Sequence, residues 1–328
     1  MIGIFKQKSP GNIAILLIFG MLLKLPIFLY PRNITSSVND GRLFQYFLSI
    51  IPKQNGLGLA FLTFFLLYVQ ALMINYIVNE YRLIPKQNYL PAMAYLVITS
   101  LLPEWNYLSS PLVSNTLIIW MIISVFKLYN ASNVKARVFN IGLIAGVSSY
   151  IYFPSGFFII CVMVAVLLLR PFRLNELMLF IIGSLTPYYF HFIILFLQDR
   201  LSIANFFPHI SFKIPDIKNN IWLAASTLLL TIPFLIGGYY VQVHLRKMLI
   251  QGRKNWSILL LYLMMAFFIP FINSDQSFHT WILIAAPFAC FHACTYYYPT
   301  KRFFPVLLFF ISVGYVFYQQ YGLSTWHA

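Results

Sequence analysis

The chain has 328 residues, 60% of them hydrophobic and 9% charged, with a formal net charge of +15 and a mean hydropathy of +0.79. Soluble domains carry about 25% charged residues, so this composition excludes a soluble globular protein. The positive balance does not define a nucleic-acid binder either, because no Lys/Arg cluster exceeds a few residues and basic residues gather in the cytoplasmic loops of membrane proteins.

Apolar runs of roughly 20 residues are the mark of transmembrane helices, whereas barrel strands would alternate over about ten; the runs here are continuous. They predict an all-α, polytopic transmembrane bundle of about eleven spans, at 12–30, 57–79, 89–102, 111–128, 139–152, 155–169, 177–198, 220–240, 256–272, 280–296 and 303–319. The third, fifth and sixth are short enough to be tilted or broken. Lys24 and Pro26 lie within the first run, which has no small-residue cleavage site and is expected to stay as the first span. The chain 1–328 reads as a single integral membrane domain, with no extramembrane segment longer than roughly 25 residues. Any site must therefore be built from span ends and short loops.

With the N-terminus inside, 15 Lys and Arg fall on the cytoplasmic side and six outside, with Lys24 in a span. This predicts a multi-pass protein with a cytoplasmic N-terminus and an outer C-terminus. The acidic residues go the other way: Asp40, Glu104, Asp199, Asp216 and Asp275, five of seven, fall outside. Three of these stand in short polar loops, NDGR at Asp40, PEWNYLSS at Glu104 and NSDQSFH at Asp275, as they would around an outward-facing polar cavity.

Asp40 has two readings. It is a general base or metal ligand at the outer face, or it is turn chemistry in Asn39-Asp40-Gly41. The following LFQYFLSII suits a helix lying in the headgroup region or the entry to the second span. Lys24 is an ionisable residue inside a span, a functional candidate by default, unless its stem snorkels to the interface. Glu104 and Trp105 form a sugar- or phosphate-binding cluster with Ser109, Ser110 and Asn115, or an interfacial Trp beside a Ser-capped helix start. Asp275 and His279, four apart, share a face if that segment is α-helical, giving a carboxylate–imidazole pair; the rival is a capped helix start.

His191, His209 and His292 lack metal-ligand spacing, and Cys161, Cys290 and Cys294 lie in apolar runs as packing residues. No P-loop, GxGxxG, GxSxG, HExxH or CxxC is present. No metal or other cofactor is therefore expected. Tyr188-Tyr189-Phe190 and Tyr296-Tyr297-Tyr298 are aromatic clusters suited to a groove for a polyprenyl or glycan chain.

NDGRLFQYFLSII after the first span, LLPEWNYLSSPLVSNTLIIWMIISVFKLY after the third, and RVFNIGLIAGVSSYIYFPSGFFIICVMVAVLLLRPFR next resemble the layout of the GT-C superfamily of polyprenyl-phosphate-sugar-dependent glycosyltransferases. The resemblance covers roughly 10–200, with additional spans over 220–319, and the opening MIGIFKQKSPGNIAILLIFGMLLKLP is similar to a bacterial polytopic membrane family. The resemblance implies an outer-face juxtamembrane helix, Asp40 as catalytic acid or base, and Glu104 as a second acidic loop position. It implies glycosyl transfer from a polyprenyl-phosphate-linked sugar to a glycan or lipid acceptor at the outer face of a bacterial inner membrane. In that scheme Lys24 and Arg42 hold the donor phosphate, and Glu104 and Trp105 position a sugar. The alternative is a non-enzymatic membrane protein: a flippase or transporter of lipid-linked glycans, or a scaffold subunit of an envelope complex. Expected partners are membrane lipids, the lipid-linked donor and its acceptor, with no nucleic acid.

Overall fold

The computed structural model describes residues 2–31, 34, 37, 39–50, 56–129, 131, 133–200, 211–212, 221–272, 278–301 and 303–322. Among these the chain is all-helical, with two isolated antiparallel bridges, Asp40 to Tyr152 and Phe212 to Ile272, and no strand. The helices are α1 (Ile2–Phe5), α2 (Pro10–Leu23), α3 (Leu25–Leu29), α4 (Arg42–Ile50), α5 (Gly56–Glu80), α6 (Leu90–Ile98), α7 (Ser110–Phe126) and α8 (Val134–Ile151). They continue as α9 (Phe157–Leu169), α10 (Leu174–Leu197), α11 (Ile221–His244), α12 (Ile250–Phe268), α13 (Ala285–Tyr297) and α14 (Phe303–Phe317). Short 3-10 turns cover Pro103–Asn106, Phe153–Gly156 and Phe278–Ile284. Proline opens many of these elements: Pro10, Pro26, Pro91 and Pro111 stand in first turns, where the missing N–H has no intrahelical partner to lose.

Among the described residues six segments are long and apolar enough to cross a membrane: Gly56–Glu80, Leu174–Leu197, Ile221–Lys247, Ile250–Phe271, Phe278–Tyr297 and Phe303–Gln320. Pro10–Leu23, Ser110–Phe126 and Phe153–Leu169 are apolar but shorter. Large hydrophobic side chains stand exposed along α5, α10, α11 and α14, a surface that water penalises and lipid does not. This is the build of a multi-pass helical membrane protein.

Two expected spans take a different form. The first is broken at Lys24, where the backbone leaves the helical region before Pro26 restarts it as α3. The third is the nine-residue α6, about 14 Å long at 1.5 Å per residue. All nine of its residues are buried, so it is an interior element packed on α13 and α5.

Hydrogen bonds tie the chain at two ends. At one, the Tyr89 N–H donates to Phe5 O (2.7 Å), Arg170 to Leu128 O (3.3 Å) and Lys254 to Leu169 O (3.3 Å). At the other, Ser226 donates to Leu101 O (3.0 Å) and Gln320 to Ser100 O (2.8 Å). Asp40 and Glu104 lie at the second end. Glu176 lies at the first, within 3.6 Å of Arg170 and 3.8 Å of Arg173.

Two devices join the helices between these ends. Gln70 (α5), Tyr95 (α6), Asn115 (α7) and Tyr262 (α12) form a buried polar knot. In it Tyr95 donates to Gln70 Oε1, Asn115 Nδ2 to Tyr95 Oη (3.1 Å), and Tyr262 to Asn115 Oδ1 (3.0 Å), while Gln70 Nε2 donates to Leu112 O (2.8 Å). In an apolar interior such groups favour an arrangement in which every donor finds its acceptor. The second device is close backbone approach. A Cβ at Gly142 or Gly146 of α8 would fall 2.2 Å from Phe180 O or 2.3 Å from Ser184 O of α10, and one at Gly183 2.3 Å from Phe139 O. Only glycine admits this small-xxx-small contact.

Replacing Gly146 by Val should therefore destabilise the protein by more than the ~1–3 kcal/mol of ordinary overpacking, because the clash is with backbone. Thermal unfolding in detergent checks this against Gly238→Ala, a mid-helix site with no atom within 4 Å of the added Cβ, which should not lower the melting temperature.

Candidate functional site

The polar side chains at the second end are organised around the segment 103–110, where a 3-10 turn leads into α7. Asp40 reaches it from the first loop. Its carboxylate is buried and accepts from the Ser37 N–H (2.7 Å) and from the Ser110 hydroxyl in the first turn of α7. A carboxylate at a helix N-terminus also meets the positive end of the helix dipole. The same loop closes on the end of α8: Gly41 N–H donates to Ile151 O (2.8 Å) and Phe153 N–H to Asn39 O (3.2 Å). A Cβ at Gly41 would lie 2.1 Å from Tyr150 O, so the residue after Asp40 must be glycine for the loop to seat. Beneath it, Ser114 meets Ser148 (2.7 Å) and Ser148 meets Ser155 (3.1 Å), a hydroxyl chain joining α7, α8 and the turn into α9.

Lys24 reaches the segment from the opposite side. Its side chain is completely buried at the α2–α3 break, and Nζ donates to Asn106 Oδ1 at 2.7 Å. No carboxylate lies within ion-pair distance of Lys24 among the described residues. Asn106 also lines an open hollow between α3, α5 and 106–108, walled by Ile27, Pro31, Leu59 and Thr63. The buried Lys24 does not snorkel.

Glu104 and Trp105 face elsewhere. A Glu104 carboxylate oxygen accepts the Phe278 N–H, and the buried Trp105 indole donates to Phe278 O (2.8 Å). Both therefore brace the start of the 278–284 turn, and the Trp105 ring is not an open stacking face. His279 sits in that turn. Asp275, its expected partner, like His209, lies outside the described residues. Asn115, expected beside Glu104, belongs to the buried knot.

The first loop is described at 31, 34, 37 and 39–41, and α4 follows as the expected short helix, with Phe44 buried and Leu43, Tyr46 and Ile50 exposed. Arg42 is exposed at its start, and α4 packs on α8.

A cluster that spacing along the sequence does not reveal completes this end. Tyr150 Oη lies 2.8 Å from His191 Nδ1 of α10, and Tyr188 Oη 2.8 Å from Ser149 Oγ. Tyr188 is therefore half-buried and bonded, while Tyr189 and Phe190 are exposed. The second aromatic cluster divides likewise: Tyr296 is buried, and Tyr298 stacks on His244 with ring centroids 4.1 Å apart. The three cysteines are free and buried. Among the described residues no three His, Cys, Asp or Glu come together as metal ligands.

Fold and site together define a polytopic helical membrane protein with one end closed by a docked polar loop. No protein-family model, curated protein or solved structure matches the chain.

Removing the Ser110 hydroxyl leaves Asp40 with one fewer donor in a buried place, at a cost of about 1–3 kcal/mol. Ser110→Ala should therefore speed hydrogen exchange at the Gly41 and Phe153 amides by about tenfold, at ~1.4 kcal/mol per decade. The Tyr89 amide at the far end should not change, and equal acceleration at both ends would show a global effect.

Proposed function

We propose that this chain handles a polyprenyl-phosphate-linked sugar at the end that carries the first loop, in a GT-C-like arrangement of about eleven spans. The N-terminus is cytoplasmic in this reading, and the site faces outward from a bacterial inner membrane. The observation that carries the reading is Lys24: an amine completely buried at a helix break, donating to the neutral Asn106, which borders an open hollow. An amine in such a place is costly to charge without a counter-ion. A phosphate docked at the Asn106 side supplies one, and a fixed cation there stabilises a phosphate leaving group as its charge develops. Asp40, joined to the same 106–110 segment through Ser110, is the base for the acceptor hydroxyl.

A second reading is favoured by the carboxylates themselves. Asp40 accepts from Ser37 and Ser110, and Glu104 from Phe278, which is what bracing residues of a non-enzymatic flippase or scaffold subunit would do.

Mass spectrometry of lipid extracted from the purified protein tests the leading reading. Wild type should carry polyprenyl phosphate, and Lys24→Met should fold but carry about tenfold less, as loss of one charged hydrogen bond implies. Asp40→Asn should bind the lipid-linked sugar yet lose its turnover by two orders of magnitude or more, the low end of ~10²–10⁴ for a general base. Recovery of ordinary phospholipid alone would remove the donor assignment, and full turnover by Asp40→Asn would favour the non-enzymatic reading.

A further inference from the structure

The Tyr150–His191 pair sits where three kinds of surface meet. On α8, Tyr150 is half-buried near the helix end, one residue from Ser149, and backs the loop through its carbonyl beside Gly41. On α10, His191 is buried with Nδ1 on the Tyr150 hydroxyl, and Tyr188, one turn earlier, is held by Ser149. Ring centroids lie 5.2 Å apart for Tyr150 and His191 and 6.0 Å for Tyr150 and Tyr188. The exposed Arg42 opens α4, a helix that packs on α8, directly after Gly41, which lies against the Tyr150 carbonyl.

The trio is fixed by the closest helix contact of the region. Ser149 also donates to Gly146 O (2.8 Å), and Gly146 is one of the glycines that let α8 touch α10. Pro187, which packs beside Gly146, cannot donate to the Gly183 carbonyl one turn back. The phenols and imidazole are therefore set by backbone and not by loop conformation.

Below the trio, α10 offers an apolar track. Met178, Ile182, Leu185, Tyr189, Phe192 and Phe196 are all exposed and recur at helical spacing, so they form one stripe along the helix. Tyr188 borders it, three residues after Leu185 and four before Phe192. His191 lies six residues, about 9 Å of rise, from the end of α10 at Leu197. That is the depth of a headgroup and not of the bilayer centre, if the exposed stripe faces acyl chains.

We propose that Arg42, Tyr150 and His191, beside Tyr188, form a site for the phosphate of an anionic membrane phospholipid whose acyl chain runs down the exposed α10 stripe. The guanidinium supplies charge and a planar fork of donors suited to phosphate. The Tyr150 hydroxyl supplies a neutral donor while its oxygen accepts from the imidazole Nδ1–H, and Tyr188, whose one proton goes to Ser149, walls the site. This inference goes beyond glycosyl transfer and does not require it, since a scaffold or flippase would hold such a lipid equally.

Native mass spectrometry of the full chain released from detergent, after equilibration with equal amounts of dioleoyl phosphatidic acid and dioleoyl phosphatidylcholine, reads the site directly. Wild type should retain the anionic lipid over the zwitterionic one by about fivefold or more, the scale of one charge-assisted contact. Arg42→Gln should abolish that preference. Tyr150→Phe, which keeps the ring and its packing, and His191→Gln should each reduce it about threefold. Arg173→Gln, an exposed arginine at the opposite end, should leave it intact. Inorganic phosphate in large excess should not displace the bound lipid, because the stripe contributes to its hold. Equal retention of the two lipids by wild type would overturn the proposal without recourse to any variant. So would unchanged preference in Arg42→Gln and Tyr150→Phe, or loss of preference in Arg173→Gln as large as in Arg42→Gln. Displacement by inorganic phosphate would overturn the lipid assignment. None of these outcomes alters the polyprenyl phosphate expected at Lys24, which is scored on a different lipid and a different side chain.

Discussion

The buried Asp40 carboxylate is the constraint on which the organised end of the molecule depends. One oxygen is held by the Ser37 N–H three residues earlier, the other by the Ser110 hydroxyl on α7. The first bond is local turn chemistry; the second is a tertiary tie across 70 residues of chain. The two sequence readings of Asp40, turn residue and site residue, therefore describe the same side chain. Without the tertiary tie, Gly41 has no reason to lie against Tyr150 or Arg42 to stand over α8, and a loop with buried polar backbone groups would lose its partners.

The rest of the bundle obeys a different economy. Its periphery is apolar and exposed, its interior is apolar and buried, and neither difference in solvent drives one helix against another when the surroundings are lipid. Specific contacts replace that drive. The knot of Gln70, Tyr95, Asn115 and Tyr262 joins α5, α6, α7 and α12, and glycine contacts set α8 on α10. At Gly237 of α11 a Cβ would fall 2.0 Å from Phe291 O of α13, so the same device is used twice. The result is a rigid pair, α8 and α10, against which the polar loop can dock.

Much of this was legible in the sequence because lipid solvation writes long apolar runs. The helical class, the loop before α4 and the short α4 itself follow from runs and their interruptions, whereas the break at Lys24 divides a run expected as one span. The interior status of α6 does not, since a segment facing lipid and one facing protein are equally apolar; only the shortness of the expected span, 89–102, hinted at it. Trp105 reads as an interfacial aromatic by its place beside a loop, yet it is buried because its indole N–H finds Phe278 O. The Tyr150–His191 pair was invisible because its members are 41 residues apart and carry no local motif. The glycine spacing of Gly142 and Gly146 was its one signal, since it announces a close helix partner without naming it.

The most direct test of the account is the energetic coupling between Asp40 and Ser110. A double-mutant cycle with Asp40→Asn and Ser110→Ala, followed by reversible unfolding in detergent, measures that coupling apart from either side chain's other contacts. If the carboxylate docks the loop on α7 as described, the two losses are non-additive by about 0.5–3 kcal/mol, the range for residues in direct contact. Losses that add to within ~0.3–0.5 kcal/mol, as they do for independent sites, would contradict the docked loop and with it the seating of Gly41 against Tyr150.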